Sequence, residues 1–237
     1  FMAVGVVMTL LVTEPDSELP TGTGLRQAVI SPFSEYVGRR GWSGVLLVLG
    51  FMFFYKIGDN MATALATPFY LDMGFSKTQI GLVAIHAALW PAIAGGLLGG
   101  LVMIKVGINR ALWLFGVVQV VSILGFAILA NNGPILWMLA AVISFEYLGV
   151  GMGTAAFTAF IARETSKTYA ATQFALFTAL AALPRTFANA STGMIVEEVG
   201  WVSFFLLCAI LAIPGMLLLL WVAPWRTPVT NPGGTQA

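Results

Sequence analysis

Six apolar stretches, near residues 43–71, 78–104, 109–130, 134–162, 172–196 and 201–223, dominate what this chain can fold into. Each reaches or exceeds the ~20 residues an α-helix needs to cross a hydrocarbon core about 30 Å thick. Short polar joints separate them: Asp72 to Lys77, Lys105 to Arg110, Asn131 to Gly133, Arg163 to Thr172, and Glu197 to Trp201. Such joints force neighbouring helices to run antiparallel. Strands are excluded, because an isolated strand in lipid leaves backbone groups unpaired. The alternation of a membrane β-barrel is missing. Composition agrees: 59% of the 237 residues are hydrophobic and 9% are charged, against about a quarter charged in a soluble domain. The expectation is an all-α membrane protein with a six-helix transmembrane bundle over 43–223.

The flanks differ in character. Residues 1–13 open on an apolar run (FMAVGVVMTLLV) too short to span a bilayer, which reads as the end of a truncated transmembrane helix. Residues 14–42 pass from a turn-rich start into LRQAVISPFSEYVGRRGW. Leu25, Val29, Ile30, Phe33 and Val37 share much of one helical face, which suits an amphipathic connector on the membrane surface. A solvated loop is the alternative. Residues 224–237 carry Pro, Gly and Thr and read as a disordered tail.

Basic residues set the topology. If the connector is cytoplasmic, that side collects Arg26, Arg39, Arg40, Lys105, Arg110, Arg163, Lys167 and Arg226, and the other side only Lys77. Connector and C-terminus are therefore expected inside. The net charge of +1 offers no basic face for nucleic acid. Cys208 stands alone in an apolar run and reads as a buried packing residue. HExxH, GxSxG and P-loop patterns are missing. With one His and one Cys, neither a metal site nor a Cys–His dyad is expected, and no cofactor is implied.

Charges inside the spans carry the functional reading. Each costs roughly 2.5–3.5 kcal/mol at a helix centre, so it needs a partner, water or a task. Lys56 and Asp59 sit three residues apart on one face of the first span. They are either a self-neutralising ion pair or a protonation switch. Glu146 lies mid-span, and Arg185 follows Pro184 mid-span; the two either pair with each other or serve substrate and proton. His86 is a weaker proton candidate, set against hydrogen-bonded packing. Single buried charges of both signs on different helices suit a mid-membrane cavity more than a channel filter. Gly95, Gly96, Gly99 and Gly100, with Gly149, Gly151 and Gly153, read as helix-packing surfaces. Pro91, Pro184 and Pro214 are candidate kinks.

The span count and connector resemble the C-terminal six-helix half of a major facilitator fold, preceded by the end of one more helix. Gly100, Lys105, Gly107 and Arg110 fall near the places of its loop motif, although Ile104 stands where the usual acid falls. More specifically, the chain is similar to the AmpG-type muropeptide permeases. Three stretches carry this: YKIGDNMATALATPFYLDMGFSKTQIG (55–81), FEYLGVGMGTAAFTAF (145–160) and TQFALFTALAALPRTFANASTG (172–193). Lys56, Gly58 and Asp59 match a KxGD element, Glu146 with Gly151, Met152 and Gly153 match a second, and Thr172 to Ala175 with Arg185 a third.

The resemblance implies a transporter of the bacterial inner membrane. Its cargo would be an N-acetylglucosaminyl-1,6-anhydro-N-acetylmuramyl unit, with or without peptide, moved into the cytoplasm by the proton gradient. Its partners would be the lipid bilayer, protons and a missing N-terminal six-helix half. Asn60, Gln173, Asn189 and Thr178 are then candidate sugar contacts, and Lys56 or Arg185 candidate partners for substrate carboxylates. Tyr55, Tyr147 and Phe177 are candidate stacking rings, while Asp59, Glu146 and His86 are the proton-coupling candidates. The alternatives are another major facilitator carrier, with acyl-CoA-like, drug or sugar cargo, and a non-transporting receptor or assembly subunit.

Overall fold

The computed structural model describes residues 30–225, apart from the side chain of Asn189. The helix end expected at 1–13, the first part of the 14–42 connector and the tail from 226 lie outside the described residues. Seven helices follow in order: α1 (Ser31–Ala64), α2 (Ala66–Asp72), α3 (Lys77–Val106), α4 (Ile108–Asn132), α5 (Leu136–Glu164), α6 (Ala170–Ala181) and α7 (Leu183–Val222). No strand occurs among the described residues. Among the described residues, five continuous stretches are long and apolar enough to cross a membrane: Ser31–Asp72, Lys77–Val106, Ile108–Asn132, Leu136–Glu164 and Ala170–Val222.

The last stretch crosses twice. Gly200 has φ 75°, in the left-handed region, and breaks α7 there. Before it, Phe177 meets Tyr36 and Phe187 meets Phe53, so 170–199 runs parallel to α1. After it, Trp201 donates to Asp72, Phe205 meets Phe69 and Gly215 abuts Tyr55, so 201–222 runs antiparallel. The bundle thus makes six passes. The start of α3 carries a capping box, in which Ser76 accepts from the Gln79 N–H and Gln79 accepts from the Ser76 N–H.

Proline explains two interruptions. Leu65 separates α1 from α2, and the ring of Pro68 would press on the carbonyl four residues earlier, that of Ala64. Ala182 separates α6 from α7, whose first turn holds Pro184. Two of the passes are therefore discontinuous.

The main packing pairs are α1 with α7, α3 with α5, and α4 with both α5 and α7. The α3–α5 seam is close because it lacks side chains: a Cβ on Gly95 would collide with the Leu148 carbonyl, and one on Gly151 with the Ala92 carbonyl. The described end of the connector is the first part of α1, which bends at Gly41 (φ 69°). Its buried residues are Pro32 and Tyr36, whereas Phe33 and Val37 are half-buried and Ile30 is exposed. Pro32 and Tyr36 thus face the bundle, and the Ile30, Phe33 and Val37 face lies to one side of it. Arg39, Arg40, Lys105, Arg110, Arg163 and Lys167 gather at one end of the bundle, and Lys77 lies at the other.

Candidate functional site

Two apolar clusters fill the two ends of the bundle. One gathers Val48, Phe51, Met52, Tyr55, Leu112, Phe115, Phe157 and Phe160. The other gathers Met61, Phe69, Ile123, Phe126, Leu139, Ile143, Phe204 and Phe205. On each helix the switch between clusters falls at one height, and there four of the buried polar residues lie: Asp59 on α1, Gln119 and Ser122 on α4, Glu146 on α5. A polar waist of this kind in an apolar bundle is costly without partners.

The partners are partly present. Lys56 Nζ lies 3.0 Å from Asp59 Oδ2, with both side chains mostly buried. Glu146 takes a short hydrogen bond from the Ser122 hydroxyl. Glu146 and Asp59 are electrostatic neighbours. One oxygen of each, Asp59 Oδ1 and Glu146 Oε1, lacks any hydrogen-bond donor. The pairing of Glu146 with Arg185, weighed from the sequence, does not form. Ser122 takes one oxygen of that carboxylate instead, and Arg185 makes no ion pair among the described residues.

A cleft of about 430 Å³ opens beside the waist, lined by Lys56, Asp59, Asn60, Thr63, Tyr147 and Arg185, with Ala64, Val150 and Thr154 completing the wall. Both helix interruptions border it: Asn60 to Ala64 lead into the break at Leu65, and Arg185 stands in the first turn after Ala182. Discontinuous helices at mid-membrane free backbone groups for a ligand. The cleft combines two cations, a carboxylate, an amide, hydroxyls and one aromatic ring.

Other expected residues lie elsewhere. Gln173 is buried at the connector, where its Nε2 donates to the Pro32 carbonyl at 2.8 Å and to Glu35 at 2.6 Å, and its Oε1 accepts from the Ser166 N–H at 2.7 Å. His86 is exposed on α3, outside the cleft. The Asn189 side chain lies outside the described residues. Thr178 is exposed and donates to carbonyls of its own helix. Two of the proposed stacking rings are committed to packing. Tyr55 lies parallel to Phe157, with its hydroxyl on the Leu112 carbonyl, and Phe177 packs edge-on against Tyr36 at 4.8 Å. Tyr147 alone of the three lines the cleft.

Three residues escaped the sequence reading. Gln119 and Ser122 stand in the apolar run GVVQVVSIL, and a mid-span amide was their signal. Glu164 reads as part of a polar joint, yet it is 1% exposed and takes hydrogen bonds from Tyr36 and Arg40.

Fold and cleft together define a class, the all-α multi-pass membrane transport proteins. Within it, the chain belongs to the Major Facilitator Superfamily, whose pattern residues 1–189 match. An uncharacterised protein of Haemophilus influenzae is 49% identical over 234 residues, covering 95% of this chain and 55% of that protein. A protein of Escherichia coli K12 named anhydromuropeptide permease is 37% identical over 217 residues, covering 91% of this chain and 43% of the relative. A Rickettsia felis protein named putative transporter AmpG 4 is 33% identical over 195 residues, covering 82% and 46%. The chain spans about half the length of the curated relatives it matches. These relationships mark it as an AmpG-type facilitator chain and point to transport rather than catalysis.

Proposed function

We propose that this chain supplies one half of a proton-driven carrier that imports anhydromuropeptides across the bacterial inner membrane. The observation that carries the reading is the cleft at the polar waist, which sets sugar-binding chemistry directly against a buried carboxylate pair. Asn60, Thr63 and Thr154 offer hydrogen bonds to hydroxyls and acetamides, and Tyr147 offers a ring face. Arg185, free of any ion pair among the described residues, is the counter-charge for a substrate carboxylate. The similarity to the Escherichia coli permease supports this cargo.

The carboxylate pair supports proton coupling. Two acids sharing a buried site cannot both ionise cheaply, so one proton between them relieves the repulsion. It can also sit on Glu146 Oε1, an oxygen without a donor. Ser122 suits either state. Its single hydroxyl proton can go to Glu146, or to the Gln119 carbonyl 2.8 Å away while a protonated Glu146 donates to the Ser122 oxygen. Lys56 supplies compensating positive charge 3.0 Å from Asp59. An amino-terminal half closes the cleft from the other side, and rocking of the halves exposes it to each face in turn. Protonation biases which face is open, because the two states differ in proton affinity. The basic end of the bundle and the C-terminus face the cytoplasm.

The test is uptake of radiolabelled anhydromuropeptide into right-side-out vesicles containing this chain and an amino-terminal half. Accumulation abolished by an uncoupler is expected. Absence of accumulation, with both halves inserted and folded, leaves the facilitator fold and rejects the cargo; accumulation indifferent to the uncoupler rejects the proton.

A further inference from the structure

Gln119 stands in the middle of α4, 3% exposed, and neither its Nε2 nor its Oε1 has a hydrogen-bond partner. Buried amides almost always find partners, so a fully orphaned one signals a water or ligand. The position is also built to hold it. A Cβ on Gly153 would collide with the Gln119 amide, and one on Gly149 would lie 3.7 Å from its Cγ. Two glycines of α5 therefore make the room this side chain occupies.

A small cavity of about 10 Å³ adjoins Gln119 among buried side chains. That is about the space one water needs. Its polar walls are Gln119 and Asp59, with Tyr55 beside them, and Ile123, Ala212 and Met216 close it with apolar surface. The Tyr55 hydroxyl is already donated to the Leu112 carbonyl. Asp59 Oδ2 is held by Lys56, but Asp59 Oδ1 is without a donor. The cavity thus adjoins two residues, Gln119 and Asp59, that each carry a buried polar atom without a partner.

We infer that Gln119 holds one ordered water in this cavity, which accepts from its Nε2–H and donates to Asp59 Oδ1. Gln119 is then a positioning residue of the proton site. The inference rests on the proton-coupling reading above and extends it to α4. The water supplies the donor that Asp59 Oδ1 lacks, and Ser122 can accept from a proton carried on Glu146. The other titratable groups that face the pair are Lys56, Tyr55 and Tyr70 from the first pass, Tyr147 beside Glu146, Arg185 across the cleft and Cys208 from the last pass. None of them lacks a donor as Asp59 Oδ1 does while facing the same cavity as Gln119.

Two measurements on the carrier with both halves test this. A density map fine enough to show waters should place one between Gln119 and Asp59; an empty cavity overturns the inference, whatever any variant does. In vesicles, Gln119→Leu removes the amide and the water with it. Its uptake-against-pH profile should shift from that of the unaltered carrier, with unaltered thermal unfolding as the check on folding. A profile that stays in place, in a carrier whose uptake is pH-driven, overturns the role of Gln119 alone. Uptake indifferent to pH in the unaltered carrier overturns the proton reading itself, and with it any role for Gln119 there.

Discussion

Arg40 closes on Glu164 from 124 residues away, its Nη2 lying 2.7 Å from both carboxylate oxygens and its Nε 3.1 Å from one. The Tyr36 hydroxyl reaches the same carboxylate at 3.1 Å, and Arg39 donates to the Glu164 carbonyl at 2.6 Å. Gln173 completes the join from α6 through Pro32 and Glu35. The connector helix is therefore bolted to the ends of α5 and α6. The Glu164 side chain is 2% exposed and that of Arg40 41%. The pair falls between a surface bridge and a buried one, so its coupling is expected at about 1–2 kcal/mol. Unfolding in detergent of Arg40→Ala, Glu164→Gln and the double variant measures it. The double variant should lose less than the two singles summed, because Arg40→Ala alone strands a buried carboxylate. Simple additivity would show that the contact contributes nothing.

Lys56 and Asp59 invite a second cycle with a different readout. Asp59→Asn leaves Lys56 without its partner at mid-membrane, and one uncompensated charge there costs roughly 2.5–3.5 kcal/mol. Folded yield should drop in Asp59→Asn and recover when Lys56→Met is added. Uncoupler-sensitive accumulation should be lost in both, and in Glu146→Gln. Proton-driven accumulation surviving in both Asp59→Asn and Glu146→Gln would remove the carboxylate pair from the mechanism.

The α3–α5 seam separates two adjacent glycines. Gly95 faces the Leu148 backbone, whereas a Cβ on Gly96 would meet nothing within 4 Å. Gly95→Ala must push the helices apart, at a cost of about 1–3 kcal/mol as for other overpacked sites. Gly96→Ala should be neutral or slightly stabilising, since alanine is the better helix former. Comparing thermal midpoints of the two variants decides it, and equal loss in both would mean the seam is not tightly packed.

Much of this fold is legible in the sequence, and the site less so. Span edges follow from apolar runs because lipid punishes every exposed polar group. The helix reversal at Gly200 and the break before Pro184 are marked by the residues that cause them. Which side of each helix faces its neighbours is not marked. In lipid, apolar residues face outward as well as inward, so periodicity no longer separates the buried face. That is why Glu146 met Asp59 and Ser122 rather than Arg185, and why Gln173 turned to the connector. Glu164 was hidden for the opposite reason. Its neighbourhood looks solvated along the chain, and only a segment more than a hundred residues away buries it.

Tyr147 provides the sharpest separation of binding from folding. It lines the cleft, while Tyr55 and Phe177 are sealed in the apolar cluster at the connector end. A ring stacked on a sugar face contributes to substrate affinity and little to the fold. Tyr147→Ala should therefore raise the KM for uptake about tenfold, equivalent to ~1.4 kcal/mol of binding, with a smaller fall in unfolding midpoint than Phe177→Ala, since Tyr147 is only half-buried against the other apolar cluster. Tyr147→Phe should keep most of the affinity. Phe177→Ala should do the reverse, losing about 3–5 kcal/mol of stability as for other buried phenylalanines, with little change in KM for the protein that remains folded. Uptake kinetics and unfolding curves on the same preparations make the comparison. A Tyr147→Ala carrier with an unchanged KM would move the substrate out of this cleft, even if the chain proved to transport it.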